Sequence, residues 1–162
     1  MLAPLLNLFG PVHRGWAITA GLLGAAAYLL AQAADLALFR NGANDLKLLG
    51  MAVTRRSPFW QFLGTAAHFS FGTLLALLYA LTLGRWLPFR PWVSGLVFAQ
   101  VENAVLSALL LPLLDRVHPA IRRGDLPRYL TPIPVIQQVF RHLAYGVVLG
   151  LVYGDVGRKL HR

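Results

Sequence analysis

The chain contains no cysteine, so a disulfide framework, thiolate metal sites and thiol nucleophiles are excluded. Charge is scarce. Only 13% of the 162 residues are Asp, Glu, Lys or Arg, about half the share of a soluble domain. Acid is scarcer still: six Asp and Glu stand against fifteen Lys and Arg, for a formal net charge of +9. No GxSxG, HExxH or Walker-type glycine loop occurs, and no nucleophile–base constellation stands out. The expectation is therefore a protein that is not an enzyme, with no catalytic residue and no metal site. A carboxylate-rich ligand set at helical spacing is missing too, which leaves a di-metal centre without support. The first residues, MLAPLLNLFGPVHRG, lack a basic n-region and a small-residue cleavage site. No secretory signal is expected, and the short apolar start is placed at a membrane interface.

What is abundant is apolar: 57% of the residues. Four segments are long enough to span, since about 20 helical residues cross the hydrocarbon. They are Gly15–Leu38, Phe59–Leu83, Trp92–Leu114 and Ile133–Tyr153. Trp16, Trp60, Trp86 and Trp92 fall at segment ends, where amphipathic rings prefer the headgroup level. Pro58, Pro91 and Pro132 stand at helix starts, where a missing N–H costs nothing. The expected class is all-α, a polytopic membrane four-helix bundle forming one domain over residues 1–162.

The segment His68–Ala80, HFSFGTLLALLYA, returns as His142–Gly154, HLAYGVVLGLVYG. One offset pairs His68 with His142, Gly72 with Gly146 and Tyr79 with Tyr153. The same offset pairs Gly21 with Gly95, Gly50 with Gly124 and Pro58 with Pro132. This pattern reads as a gapless duplication of a helical hairpin, about 13–86 and 87–160. Each unit crosses twice, so the copies keep one orientation. They are expected to be related by a pseudo-two-fold axis along the membrane normal.

Each hairpin carries a long connection, Phe39–Ser57 and Asp115–Thr131. Within them, Asn44–Gly50 offers an Asn N-cap and a closing glycine, and Pro119–Gly124 offers proline first and glycine last. A short interfacial helix is expected in each. The long-loop side carries eight Lys or Arg, the side of the termini six, which leans toward cytoplasmic long loops. Arg55-Arg56 and Arg122-Arg123 are expected to meet anionic lipid headgroups. Nothing resembles a nucleic-acid motif, so no nucleic-acid partner is expected.

The candidate packing residues are Gly72, Ala76 and Tyr79, with Gly146, Gly150 and Tyr153. Within each set the spacing places them on one helix face. Small residues four apart let backbones approach where lipid supplies no hydrophobic drive. The simplest arrangement puts the second and fourth spans face to face. The candidate polar site is His68, Glu102, Asn103, Arg141 and His142. Each histidine sits nine residues into its span, about 13–14 Å deep, where polar groups usually face the bundle interior. The two imidazoles are expected to bond between helices, with haem or metal ligation through the pair as the sharper alternative. Glu102 and Arg141 fall at similar depth on neighbouring helices, so an ion pair is expected between them. Asp35, near the long-loop end of the first span, is expected to snorkel to water.

Three stretches, Asp45-Leu46-Lys47-Leu48-Leu49-Gly50, His68-x3-Gly72-x6-Tyr79-Ala80 and Tyr145-Gly146-x3-Gly150-x2-Tyr153-Gly154, resemble the YagU-like family of small bacterial inner-membrane proteins. The resemblance implies a four-helix inner-membrane protein with no catalytic residues to carry over. The leading expectation is an accessory or scaffold subunit, packed in the bilayer, in a larger membrane complex or as a homo-oligomer. The alternatives are an oligomeric transporter or channel with a polar midplane site, and a haem- or metal-binding subunit.

Overall fold

The computed structural model describes residues 12–82, 84 and 89–160, with side chains up to 154. The apolar start at 1–11, and Leu83, Arg85, Trp86 and Arg162, lie outside the described residues. So do the side chains of Arg158 and Lys159.

Among the described residues the protein is all-helical, with no strand. Six helices follow in order: α1 Arg14–Phe39, α2 Asp45–Met51, α3 Phe59–Leu81, α4 Pro91–Val117, α5 Pro119–Arg122 and α6 Pro132–Leu160. Four of them, α1, α3, α4 and α6, are long and apolar enough to cross a membrane. The protein is thus a multi-pass membrane protein built as a four-helix bundle. α4 runs through Pro112 and ends at Val117, three residues beyond the expected Leu114. Neighbouring contacts can offset a missing N–H inside a spanning helix.

The close packing runs in the order α3, α1, α6, α4. Glycines set the approach. A Cβ on Gly21 would lie 2.7 Å from Thr73 Cα and 2.9 Å from Gly72 O. On the other side, a Cβ on Gly146 would lie 2.7 Å from Gly95 O and 2.8 Å from Ala99 Cβ. The small-residue stripes therefore close α1 on α3 and α4 on α6. This corrects the expectation that the second and fourth spans face each other through glycine. Those spans, α3 and α6, meet instead through rings: Tyr79 and Tyr153 stand edge to face at 6.0 Å. The physical reason is side-chain size. Each glycine stripe already has a backbone of its own hairpin against it, so the larger aromatics fill the space at the bundle centre. Ala76, Tyr79, Tyr145, Leu149 and Tyr153 are buried there.

A second core lies at the long-loop end, from Ala43, Leu48, Met51, Leu111, Ala120, Ile121, Leu126 and Tyr129. Both loop helices form where expected. Asn44 caps α2 by accepting from the Lys47 N–H at 2.9 Å. His118 caps α5 by accepting from the Ala120 N–H at 3.2 Å. Gly124, at φ +79°, closes α5 in the left-handed region. Gly50 does not close α2. It sits inside the helix, where a Cβ would run into the Trp60 carbonyl of α3. Gly64 answers it from α3, where a Cβ would run into the Leu46 carbonyl. These two glycines let α2 lie against α3 at its buried face.

Candidate functional site

α1 ends in a reversal. Arg40 adopts φ +50° and its N–H bonds back to Leu36 O; Gly42 follows at φ +74°. The chain turns inward there and presents Asp45 at the first turn of α2, beside the polar end of α1. Tyr28, Gln32 and Asp35 lie at i, i+4 and i+7 of α1, on one face. Gln137, Gln138 and Arg141 lie close together on α6. All six of these side chains are buried, and so is Asp45.

Arg141 is at the centre, with no exposed surface. Its Nε donates to Asp35 Oδ2 at 2.6 Å and its Nη2 to Asp35 Oδ1 at 2.6 Å. Nη2 also donates to Ala43 O at 2.9 Å. Nη1 donates to Asp45 Oδ2 at 2.8 Å and, more weakly, to Gln32 Oε1 at 3.4 Å. A guanidinium has five N–H donors, and here each has an acceptor. The carboxylates are held in turn. Gln137 donates to Asp35 at 2.7 Å and Gln138 to Asp45 at 3.0 Å. Asn41 donates to Gln137 Oε1 at 2.6 Å. The Tyr28 hydroxyl lies 2.6 Å from Asp45 Oδ2 and 2.7 Å from Gln138 Oε1. The Asp45 N–H donates to Gln32 Oε1 at 2.9 Å. Two carboxylates face one guanidinium, and Asp45 also gains from its place at a helix N-terminus.

Two expectations are corrected here. Arg141 pairs with Asp35 and Asp45, not with Glu102. Residues 141 and 142 leave α6 about 100° apart, so Arg141 points to α1 while its neighbour points to α4. Asp35 does not snorkel: it is 8% exposed, because the guanidinium holds both of its oxygens inside.

Glu102 faces His142, with Oε2 3.2 Å from Nε2. Neither carboxylate oxygen has an aligned hydrogen bond among the described residues. His142 Nδ1 lies 2.7 Å from Gln138 O. Gln138 O can only accept, so Nδ1 carries a hydrogen. His68 Nε2 lies 3.1 Å from Ala25 O, an interhelical bond from α3 to α1. The Tyr28 ring lies against both imidazoles, at 4.9 Å from His68 and 5.2 Å from His142. A group bridging the two histidines would meet that ring. No cluster of three or more metal-ligating side chains occurs among the described residues. Asn103 is buried apart from the arginine and accepts from Ser107 Oγ at 3.3 Å. The expected five-residue site is thus divided: Glu102 and His142 come together, His68 joins them only through Tyr28, and Arg141 and Asn103 lie elsewhere.

Tyr28, Gln32, Asp35, Asn41, Asp45, Gln137 and Gln138 all belong to the network, and none is in the site expected from the sequence. The signal present was the polar face of α1 at i, i+4 and i+7, matched by adjacent glutamines before Arg141.

At the long-loop end, His118 Nε2 lies 3.0 Å from Leu48 O, which ties α5 to α2. Burial holds the His118 imidazole below its ordinary pKa. Lys47 donates to Asp125 O at 2.9 Å, and Arg55 and Arg123 share the Asp125 carboxylate at 3.3 and 3.0 Å. The bond from Arg123, with Arg55 adding, holds that carboxyl below its ordinary range. Burial first, and Asp45 second, push the Tyr129 phenol up.

Comparisons with protein-family models, curated proteins and solved structures each find no match to the chain.

Proposed function

We propose that the protein is a non-catalytic membrane scaffold, an accessory subunit that holds a fixed shape in the bilayer for a larger membrane complex. The observation that carries this reading is the closure of the Arg141 network. All five guanidinium donors are used by Asp35, Asp45, Ala43 and Gln32, so none is left for a substrate anion. A buried ion pair of this kind supports specificity of fold more than activity. The resemblance to the YagU-like family points the same way and adds a bacterial inner-membrane location.

The bundle is read as a duplicated hairpin. Gly21 and Gly72 approach one another as Gly95 and Gly146 do, and Ala25 stands to Gly72 as Ala99 stands to Gly146. The N-caps of the loop helices, Asn44 and His118, are related by the same offset.

Reconstituted full-length protein tests the reading. A scaffold passes no protons or inorganic ions across proteoliposomes, and Arg141→Lys lowers the yield of folded protein. A transporter built around Arg141 would show flux in the wild type, with Arg141→Lys folded but inactive. The second reading, a proton-linked transporter, is favoured by one feature: the buried carboxylate of Glu102 beside His142.

A further inference from the structure

We propose that a groove at the long-loop end of α4 binds the phosphate headgroup of an anionic phospholipid. The groove has a volume of about 390 Å³ and is lined by Pro112, Asp115, Arg116, Arg128, Leu130 and Thr131. Three features assign the occupant. The first is its place. Arg116 lies in the last turn of a membrane-spanning helix, where headgroups meet the protein. The second is charge. Neither Arg116 nor Arg128 has a hydrogen-bonded or ion-paired side-chain partner among the described residues. By contrast, Arg55 and Arg123 are committed to Asp125. The one acid of the groove, Asp115, has both oxygens engaged by backbone. Oδ1 accepts from the Tyr129 N–H at 2.7 Å and Oδ2 from the Leu130 N–H at 3.0 Å. The open donors are therefore two guanidinium forks, which suit phosphate.

The third feature is an apolar track that leads into the groove. Leu109, Pro112, Leu113 and Arg116 lie at i, i+3, i+4 and i+7 of α4, one face of the helix. Leu109 is 72% and Leu113 52% exposed. A free phosphate has no use for such a track, whereas an acyl chain covers it while its headgroup sits between the arginines. The assignment adds a groove at Arg116 and Arg128 to the lipid contacts expected at the Arg55-Arg56 and Arg122-Arg123 pairs. It rests on the membrane location alone and not on the scaffold reading.

Native mass spectrometry of the full-length protein in mild detergent tests it, with phosphatidylglycerol and phosphatidylcholine titrated separately. The wild type should bind phosphatidylglycerol more tightly. Arg116→Gln with Arg128→Gln should weaken that binding about 10- to 30-fold and leave phosphatidylcholine unchanged. Arg55→Gln with Arg56→Gln removes the same charge from the same side and should cost less than about threefold if the groove is the site. Equal losses in the two double variants would overturn the proposal, as would a wild type with no headgroup preference. Millimolar inorganic phosphate should not displace the lipid; displacement would make this a free-anion site. If the double variant fails to purify, Arg128→Gln alone, an exposed loop position, should lose about fivefold, and no loss there also overturns the assignment.

Discussion

Helix α6 is held on its two sides by opposite means. Toward α4 the seam is made of missing side chains. Gly95, Gly146 and Gly150 let backbones touch, and any added Cβ meets main-chain atoms of the partner helix. Toward α1 and the start of α2 the seam is made of charge. Arg141, Gln137 and Gln138 reach across to Asp35, Asp45 and Tyr28. Lipid tails are as apolar as leucine, so neither seam can lean on the hydrophobic effect. One gains dispersion from close approach. The other satisfies polar groups that have no water to turn to. The seams should therefore fail differently: the glycine seam when atoms are added, the polar seam when atoms are removed.

The largest effect is expected at Arg141. Arg141→Gln leaves the Asp35 and Asp45 carboxylates buried without their cation, a loss of about 3–5 kcal/mol. Adding Asp35→Asn and Asp45→Asn removes the stranded charges and should recover part of the stability. Thermal melting of detergent-solubilised protein measures this. Equal melting of the single and triple variants would show that the seam is not held by charge.

The glycine seam comes next. Gly146→Leu should cost roughly 1–3 kcal/mol or more, because overpacking must push α4 away. Gly72→Leu, at the matching place between α1 and α3, should cost a similar amount. Val147→Leu, half-buried beside Gly146, should stay within about 0.5 kcal/mol. Neither glycine variant should be rescued by removing a charge. If the two leucine variants differ several-fold, the hairpins are not packed alike.

The glycine seams were legible in the sequence as residues but not as partners. The offset that pairs Gly72 with Gly146 also pairs Gly21 with Gly95, and these are the residues in contact. The apolar lengths of the four spans and the cap Asn44 could also be read directly, whereas the His118 cap could not, because histidine carries no strong capping signal. The polar seam was much less legible. Asp45 opens the short helix α2 in the connection after α1, 96 residues from Arg141, and reaches it only because the chain reverses at Arg40 and Gly42. Depth counting placed Glu102 and Arg141 at one level, but depth says nothing about which way a side chain leaves its helix. A one-residue step along α6 turned the histidine toward Glu102 and the arginine away.

A smaller, pH-dependent effect is expected where the two long loops meet. The Ala120 N–H donates to His118 Nδ1, so that nitrogen is unprotonated. Leu48 O accepts from Nε2, which therefore carries the hydrogen. Protonation would remove the acceptor that caps α5. Because burial lowers the His118 pKa, the folded state favours the neutral ring. Its contribution is fully present above the ordinary value of 6.5 and is lost as pH falls below it. The loss should be about 1 kcal/mol, the value of an N-cap. Melting at pH 7.5 and at pH 5 should show the decrease, and His118→Asn should flatten it.

The smallest effect is expected at Glu102, although its carboxyl oxygens too are buried. The difference from Arg141 lies in its partners. The arginine makes five donations, while neither Glu102 oxygen has an aligned hydrogen bond among the described residues. Its neighbour, His142, uses Nδ1–H toward Gln138 O, so in the neutral ring Nε2 presents a lone pair to Oε2 at 3.2 Å. Two acceptors then face each other unless a proton lies between them. Glu102→Gln supplies a hydrogen in the amide, keeps the shape and removes the charge. It should change stability by no more than about 0.5 kcal/mol, or raise it. Combined with Arg141→Gln it should simply add, because the two side chains share no partner. A double-mutant cycle reads this directly. Coupling above about 1 kcal/mol would mean that Glu102 belongs to the arginine network after all. Coupling near zero with a mild single variant leaves the polar seam to α1, α2 and α6, and makes Glu102 an acid apart from it on the glycine side of the bundle.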